Sequence, residues 1–298
     1  MLMPDPIIHF FMALIQILTG ASTNGFIVVV NVIDLIKQRQ MAPLDLLISC
    51  LATSRICLQV LIFLVHLALL SFIKQPEFPE YCTLFMFVSI LCLWLSTWLG
   101  VFYCAKIANI PHPLFFWLKM RIFKLVPWLI LGSILYASIS TGIRTIYTWT
   151  VTPKFFINSF CKNATQTKGI AIIPFLLLFI HLTVPSIILL ITLLLLIFSL
   201  RRHTQKMRTI AAGTRDQGRS SLFRAMLSIL SFLILYFSHY TTAILFFFQI
   251  LQFGSFLFVF CAMVADTYPC IHSVILILGN PTLKQNAKIF LCGGQCDQ

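Results

Sequence analysis

Long apolar runs alternate with short polar stretches along the whole chain. Seven runs stand out, at about residues 7–30, 46–70, 83–105, 126–146, 171–199, 225–248 and 256–278. Each is roughly 20 residues or longer, the length an α-helix needs to cross a hydrocarbon core about 30 Å thick. The pattern predicts an all-α membrane protein: a seven-transmembrane helix bundle in which residues 1–298 form one domain, with 279–298 as a short tail. The loops between the runs are too short to hold a soluble domain.

The stretch from Trp94 to Lys124 organises the rest. An apolar helix leaves the membrane at Lys106, a turn with Pro111 and Pro113 follows, and an amphipathic basic segment leads back toward the bilayer. The other helices are expected to pack around the third. The basic turn is expected to face a cytosolic partner.

Composition sharpens the membrane reading. Hydrophobic residues make up 59% of the chain and charged residues only 10%, whereas a soluble domain carries about 25% charge. Hydrocarbon accepts apolar side chains everywhere and charges almost nowhere. The formal net charge of +13 does not point to nucleic acid, because the basic residues sit in short loops where membrane topology explains them. Lys37, Arg39, Lys106, Lys119, Arg121, Lys124, Arg201, Arg202, Lys206, Arg208, Arg215, Arg219, Arg224, Lys284 and Lys288 fall on one side. Lys74, Arg144, Lys154, Lys162 and Lys168 fall on the other. The excess of positive charge on one side predicts an N-terminus outside and a C-terminus in the cytosol, as in a multi-pass plasma-membrane protein. Asn163-Ala164-Thr165 is a glycosylation sequon in a loop predicted to lie outside, which agrees with that orientation. No signal-peptide pattern is visible, so the first run reads as an uncleaved helix.

Candidate chemistry is sparse. The cysteines show no metal-type spacing, and Cys50, Cys57, Cys92, Cys104, Cys261 and Cys270 read as packing residues. There is no zinc-protease motif, no Gly-rich phosphate loop and no paired intramembrane acids. No enzyme activity, metal or cofactor is therefore expected. Arg55 is the strongest departure from the apolar pattern. A charge at that depth is costly and marks a functional position. It is expected to meet polar atoms on neighbouring helices, such as Asn24, Ser273 or Asn280, and either to lock the helices together or to share in switching. Seven helices with short loops are the architecture of a G protein-coupled receptor, by analogy of fold. A small multi-helix transporter is the alternative, although there is no internal repeat and no matched pair of interrupted helices.

A series of motifs then carries a family resemblance over essentially the whole chain. They are Thr23-Asn24-Gly25-Phe26-Ile27 in helix one, Leu51-Ala52 with Ser54-Arg55 in helix two, and Phe102-Tyr103 with Lys106-Ile107-Ala108 at the end of helix three. The following loop has His112-Pro113-Leu114-Phe115 and Leu118-Lys119-Met120-Arg121-Ile122. Further on come Ser199-Leu200 with His203 and Met207, Ser231-Phe232-Leu233 with Leu235-Tyr236, and His272-Ser273 with Leu276-Ile277-Leu278-Gly279-Asn280-Pro281. The chain resembles the bitter taste receptors, the type 2 taste receptor family of G protein-coupled receptors. The acid–Arg pair and the Asn-Pro-x-x-Tyr motif of rhodopsin-like receptors are absent; Phe102-Tyr103 and His272-Ser273 take their places. Leu222 and Leu227 stand where the family often has His and Lys, and Thr282 where it often has Lys.

The resemblance implies a glycosylated chemosensory receptor that binds bitter small molecules between the outer halves of its helices and activates a gustducin-type heterotrimeric G protein. Phe85, Ser89 and Ala262 match the family's usual contact positions. His66, His181, Tyr240 and Asp266 are further candidate lining groups, because pockets between bundled helices are mostly apolar with a few polar groups. His66 and His181 can equally be helix–helix contacts. Asp266 either pairs with a cationic ligand or is a neutral, hydrogen-bonded acid. Coupling and switching fall to Arg55, Tyr103, Lys106, Lys119, Arg121, His203, Lys206, Arg208, His272 and Ser273, although membrane orientation alone accounts for each Lys or Arg taken singly. Many receptors bridge positions like Cys82 and Cys161, whereas bitter receptors generally lack that disulfide; the resemblance leaves both the bond and a free pair open. Cys292 and Cys296 are weak palmitoylation candidates.

Overall fold

The computed structural model describes residues 6–38, 40–69, 78–108, 113–151, 172–209, 217–247, 257, 260–261, 263–264 and 267–291. Among them eight helices follow one another: α1 (Pro6–Gln38), α2 (Pro43–Leu69), α3 (Phe78–Ile107), α4 (Pro113–Val151), α5 (Ile172–Thr209), α6 (Gln217–Phe247), α7 (Tyr268–Gly279) and α8 (Pro281–Leu291). No strand occurs among the described residues. Proline opens α1, α2, α4 and α8, where its missing N–H costs nothing and its fixed φ suits the first helical turn.

Five helices hold segments long and apolar enough to cross a membrane: Phe10–Lys37, Pro43–Leu67, Thr83–Lys106, Phe115–Ile146 and Phe179–Ser199. Met226–Ser238 and Tyr268–Gly279 are shorter apolar helices. The surface inverts the rule of water-soluble proteins. Ile15, Leu18, Val29, Trp128, Leu135, Ile139, Ile187, Leu194 and Phe237 are exposed, while Asn24, Asn31, Arg55, Gln59, Ser96, His272 and Ser273 are buried. Polar groups turn inward because hydrocarbon offers them no hydrogen bonds.

Helices α1, α5 and α6 extend past their expected runs, to Gln38, to Thr209 and back to Gln217, and two further differences change the architecture. The basic segment 114–124 and the apolar run 126–146 form one continuous helix, α4, with Pro127 inside it. Lipid-side helices tolerate such a proline where neighbouring groups re-satisfy the backbone. Residues 281–291, expected as part of a tail, form α8. Asn280 is extended (φ −91°, ψ 118°) and closes α7, as the residue before proline prefers. Its Oδ1 then accepts from the Thr282 N–H at 3.0 Å and caps α8. Leu283 anchors α8 in the core, and Phe290 lies 6.1 Å from Phe26 of α1, centroid to centroid.

α3 packs against α2, α4, α5 and α6, while α1 touches α2 and α7 and the ring closes through α6–α7 contacts. One core joins Ile27, Leu51, Leu95, Leu99, Phe102, Leu276 and Leu283. A second joins Leu93, Leu189, Leu196, Phe232 and Tyr236. A third, smaller cluster holds Leu58, Ile62, Val88, Cys92 and Tyr268. The prediction that the bundle gathers around the third helix therefore holds for four neighbours.

Gly20 on α1 leaves room for the Gln59 side chain of α2. A Cβ there would sit 1.6 Å from Gln59 Oε1, and Gln59 is itself buried. Gly20→Ala is expected to destabilise the bundle by about 1–3 kcal/mol through overpacking, read as a lower melting temperature of the solubilised protein. Adding Gln59→Ala should recover most of that loss. An unchanged melting temperature in the single variant would mean that the two helices separate freely.

Candidate functional site

Arg55 lies in the middle of α2 and is fully buried. Nη1 donates to Ser273 Oγ at 3.0 Å, and Nη2 donates to Ser96 Oγ at 3.1 Å and to His272 Nδ1. A guanidinium can only donate, so Nδ1 of His272 is the acceptor and the ring proton sits on Nε2. Ser273 Oγ lies 2.7 Å from both Asn24 Oδ1 and Pro269 O, and Asn24 Nδ2 donates to Gly20 O at 2.9 Å. One side chain on α2 thus ties together α3, α7 and, through Ser273, α1. Of the expected partners, Ser273 bonds Arg55 directly and Asn24 lies one step further along. Asn280 instead caps α8. Ser96 and His272 complete the set; no spacing rule places either beside Arg55. Among the described residues no carboxylate pairs with Arg55, and its Nε has no hydrogen-bond partner.

The network continues into α6. The rings of His272 and Phe232 lie 4.9 Å apart, and Phe232 stacks on Tyr236 at 6.0 Å. Tyr236 OH donates to Leu182 O of α5 at 2.8 Å. Ser96, Tyr103, Ser228, Phe232 and His272 all line a small cavity of about 10 Å³ between α3, α5, α6 and α7. Tyr103 therefore sits where a movement of α6 would be felt, and it packs against both large cores. Lys106, Lys119 and Arg121 are exposed, with the Arg121 guanidinium 5.2 Å above the Trp117 ring. His203, Lys206 and Arg208 lie on the last turns of α5.

A second polar group gathers toward the other end of the bundle. Ser89 precedes Tyr103 by fourteen residues, about 21 Å along the α3 axis. His66 and His181 are buried and Phe85 half-buried. Trp94 meets Tyr136 edge-on at 5.2 Å, and Tyr136 stacks on His181 at 6.4 Å. Ser89 Oγ, Trp94 Nε1 and Thr141 Oγ1 are buried without a hydrogen-bond partner among the described residues. Thr141 is 6% exposed. Buried polar atoms are normally paired, so each of these three is open to an external partner. Sequence reasoning missed Trp94 and Thr141, since an aromatic and a threonine inside apolar runs carry no signal of their own. Tyr240 lies on α6; Ala262, Asp266, Asn163, Cys161, Cys292 and Cys296 lie outside the described residues.

A bundle of apolar helices closed around a buried arginine network is a polytopic membrane protein. Residues 1–295 match the family model of taste receptor proteins (TAS2R). The chain is 54% identical to taste receptor type 2 member 1 of Chlorocebus aethiops over 295 residues, 98% of each chain. It is 53% identical to the protein of the same name from Pongo pygmaeus over 298 residues, again 98% of each. With taste receptor type 2 member 119 of Rattus norvegicus it shares 51% over 296 residues, 99% of this chain and 88% of the relative. The chain belongs to the type 2 taste receptor family. It is a multi-pass membrane receptor of the G protein-coupled class for bitter taste, and not an enzyme.

Proposed function

We infer that this protein spans the plasma membrane seven times as a single receptor domain, with its N-terminus outside and a short tail in the cytosol. It binds bitter small molecules at the end of the bundle that holds Ser89, His66 and His181, and activates a gustducin-type G protein at the opposite end. The buried polar atoms Ser89 Oγ, Trp94 Nε1 and Thr141 Oγ1, each without a hydrogen-bond partner among the described residues, are the observation that supports the binding end, because a ligand with matching polar atoms would satisfy them. Phe85, Tyr240, Ala262 and Asp266 belong to the same reading. Arg55, Tyr103, Lys106, Lys119, Arg121, His203, Lys206, Arg208, His272 and Ser273 serve switching and coupling. Asn163 carries a glycan in the outer loop.

An agonist activates only by binding the active arrangement better than the resting one. The elements suited to two arrangements are α6 and α7, joined through Phe232 and His272. The test is intracellular calcium in cells expressing this chain with a gustducin-type chimeric G protein, across a panel of bitter compounds. Responses that need both the chain and the G protein are expected. Thr141→Val should keep expression and stability, since it removes a hydroxyl with nothing to bond, yet shift the potency of polar agonists about ten-fold, the scale of one lost hydrogen bond. Potencies unmoved for every agonist would remove Thr141 from the pocket. Silence from the parent chain at full surface expression, together with no binding of any panel compound, would overturn the reading.

A further inference from the structure

We propose that the first turns of α4 hold the headgroup of an anionic phospholipid, whose acyl chains lie along the apolar continuation of the same helix face. α4 buries Phe115, Ile122 and Val126 against the bundle. An α-helix turns about 100° per residue, so the opposite face carries Trp117, Arg121, Lys124 and Trp128, spaced i, i+4, i+7 and i+11. All four are exposed, Trp128 at 71%. The face continues as Leu131, Leu135 and Ile139, each exposed and apolar.

A helix that crosses a membrane turns such a face to lipid. The segment Phe115–Ile146 is long and apolar enough to cross. Its outward stretch from Trp128 to Ile139 rises about 16 Å, one leaflet's share of a core ~30 Å thick. Arg121 and Lys124 precede Trp128 by about 6–10 Å along the axis, which places them at headgroup depth. Tryptophan prefers the membrane–water interface, and Trp117 and Trp128 bracket the two cations on one stripe. Membrane orientation asks only for basic residues beyond the end of a span. Here they stand on the lipid-facing stripe itself.

The chemistry of the pair selects an anion. Residues three apart on a helix hold their Cβ atoms about 5–6 Å from each other, so one headgroup can meet both Arg121 and Lys124. α4 contains no Asp or Glu, and neither cation makes an ion pair with a described residue. The Arg121 guanidinium lies 5.2 Å over the Trp117 ring. That contact steadies the planar group and leaves its edge N–H groups to donate in pairs to phosphate oxygens. Lys124 adds a compact second charge. A zwitterionic headgroup would bring its own ammonium toward the two cations and bind less well. The site rests on α4 crossing the membrane; its assignment to the cytosolic leaflet rests on the orientation proposed above.

The full-length receptor in a neutral detergent is titrated with phosphatidylserine and, separately, with phosphatidylcholine of the same chains, and bound lipid is counted by native mass spectrometry. The first phosphatidylserine is expected to bind at least about ten-fold more tightly than the first phosphatidylcholine, the scale of two basic residues beside anionic lipid. Arg121→Gln combined with Lys124→Gln should bring the ratio close to one. Lys37→Gln combined with Lys284→Gln removes the same charge from exposed positions on α1 and α8 and should leave the ratio as it is. Glycerophosphoserine, the headgroup without chains, should not displace the lipid at equal concentration. Melting curves establish that both double variants are folded. No preference for phosphatidylserine, an equal loss in the two folded double variants, or displacement by glycerophosphoserine would each overturn the site. The second outcome would assign the preference to diffuse charge, and the third to a soluble anion. The readout needs neither agonist nor G protein, so its failure leaves the receptor function standing.

Discussion

Arg55→Ala lowers the stability of the solubilised receptor by about 3 kcal/mol or more, with a matching loss at the cell surface. Removing the side chain leaves a cavity in the packed interior and strips partners from Ser273, Ser96 and His272, and both effects cost free energy. The size follows from geometry: one planar group donates to α3 and to two positions on α7. Arg55→Lys should not restore it. A single ammonium is a point donor and cannot reproduce a fork spread over two helices. Thermal melting of the three proteins in one detergent checks this. A lysine variant as stable as the parent would show that charge, rather than the fork, holds the helices.

Tyr103→Ala abolishes agonist-driven calcium signalling while leaving the receptor at the cell surface. Tyr103 is only partly buried, borders the cavity shared by α3, α5, α6 and α7 and packs at the margin of both large cores, so its loss removes packing at their edge and not from their centre. It does remove the aromatic surface against which α6 must rearrange. Tyr103→Phe separates the two parts of the side chain: it keeps the ring and loses the hydroxyl. Signalling retained in Phe and lost in Ala would assign the role to packing; loss in both would assign it to the hydroxyl. Normal signalling by Tyr103→Ala at equal surface density would remove the residue from the mechanism.

Much of the architecture was legible because hydrocarbon imposes a length and a polarity on each helix. The runs at 46–70 and 83–105 predicted α2 and α3 closely, whereas the fourth run, expected from about 126, begins at Pro113. The junction near residue 125 was misleading. A change from basic to apolar composition looks like a boundary, but the helix backbone continues through it, past Pro127, because helix formation does not depend on whether the side chains are charged or apolar. α8 was hidden for the opposite reason: eleven residues form a helix that is marginal by itself, and Leu283 in the core and the contact of Phe290 with Phe26 of α1 help to hold it.

The site divides in the same way. Arg55 announces itself, since an isolated charge in an apolar run has to be accommodated. Ser96, Thr141 and Trp94 do not, because each is an unremarkable residue until another helix is laid beside it. Leu227, a departure from the family's usual residue, is exposed on α6 and so faces outward from the bundle.

By itself the sequence determined that this chain lives in a membrane and that Arg55, a charge inside an apolar run, must be met by polar groups of neighbouring helices. Those properties follow from transfer free energies, which act residue by residue. Only the tertiary structure decided which polar groups meet. Arg55 with His272 and Gln59 against Gly20 are pairings across helices. They depend on rotation and depth within the bundle, quantities that close packing sets and that no single run of residues encodes.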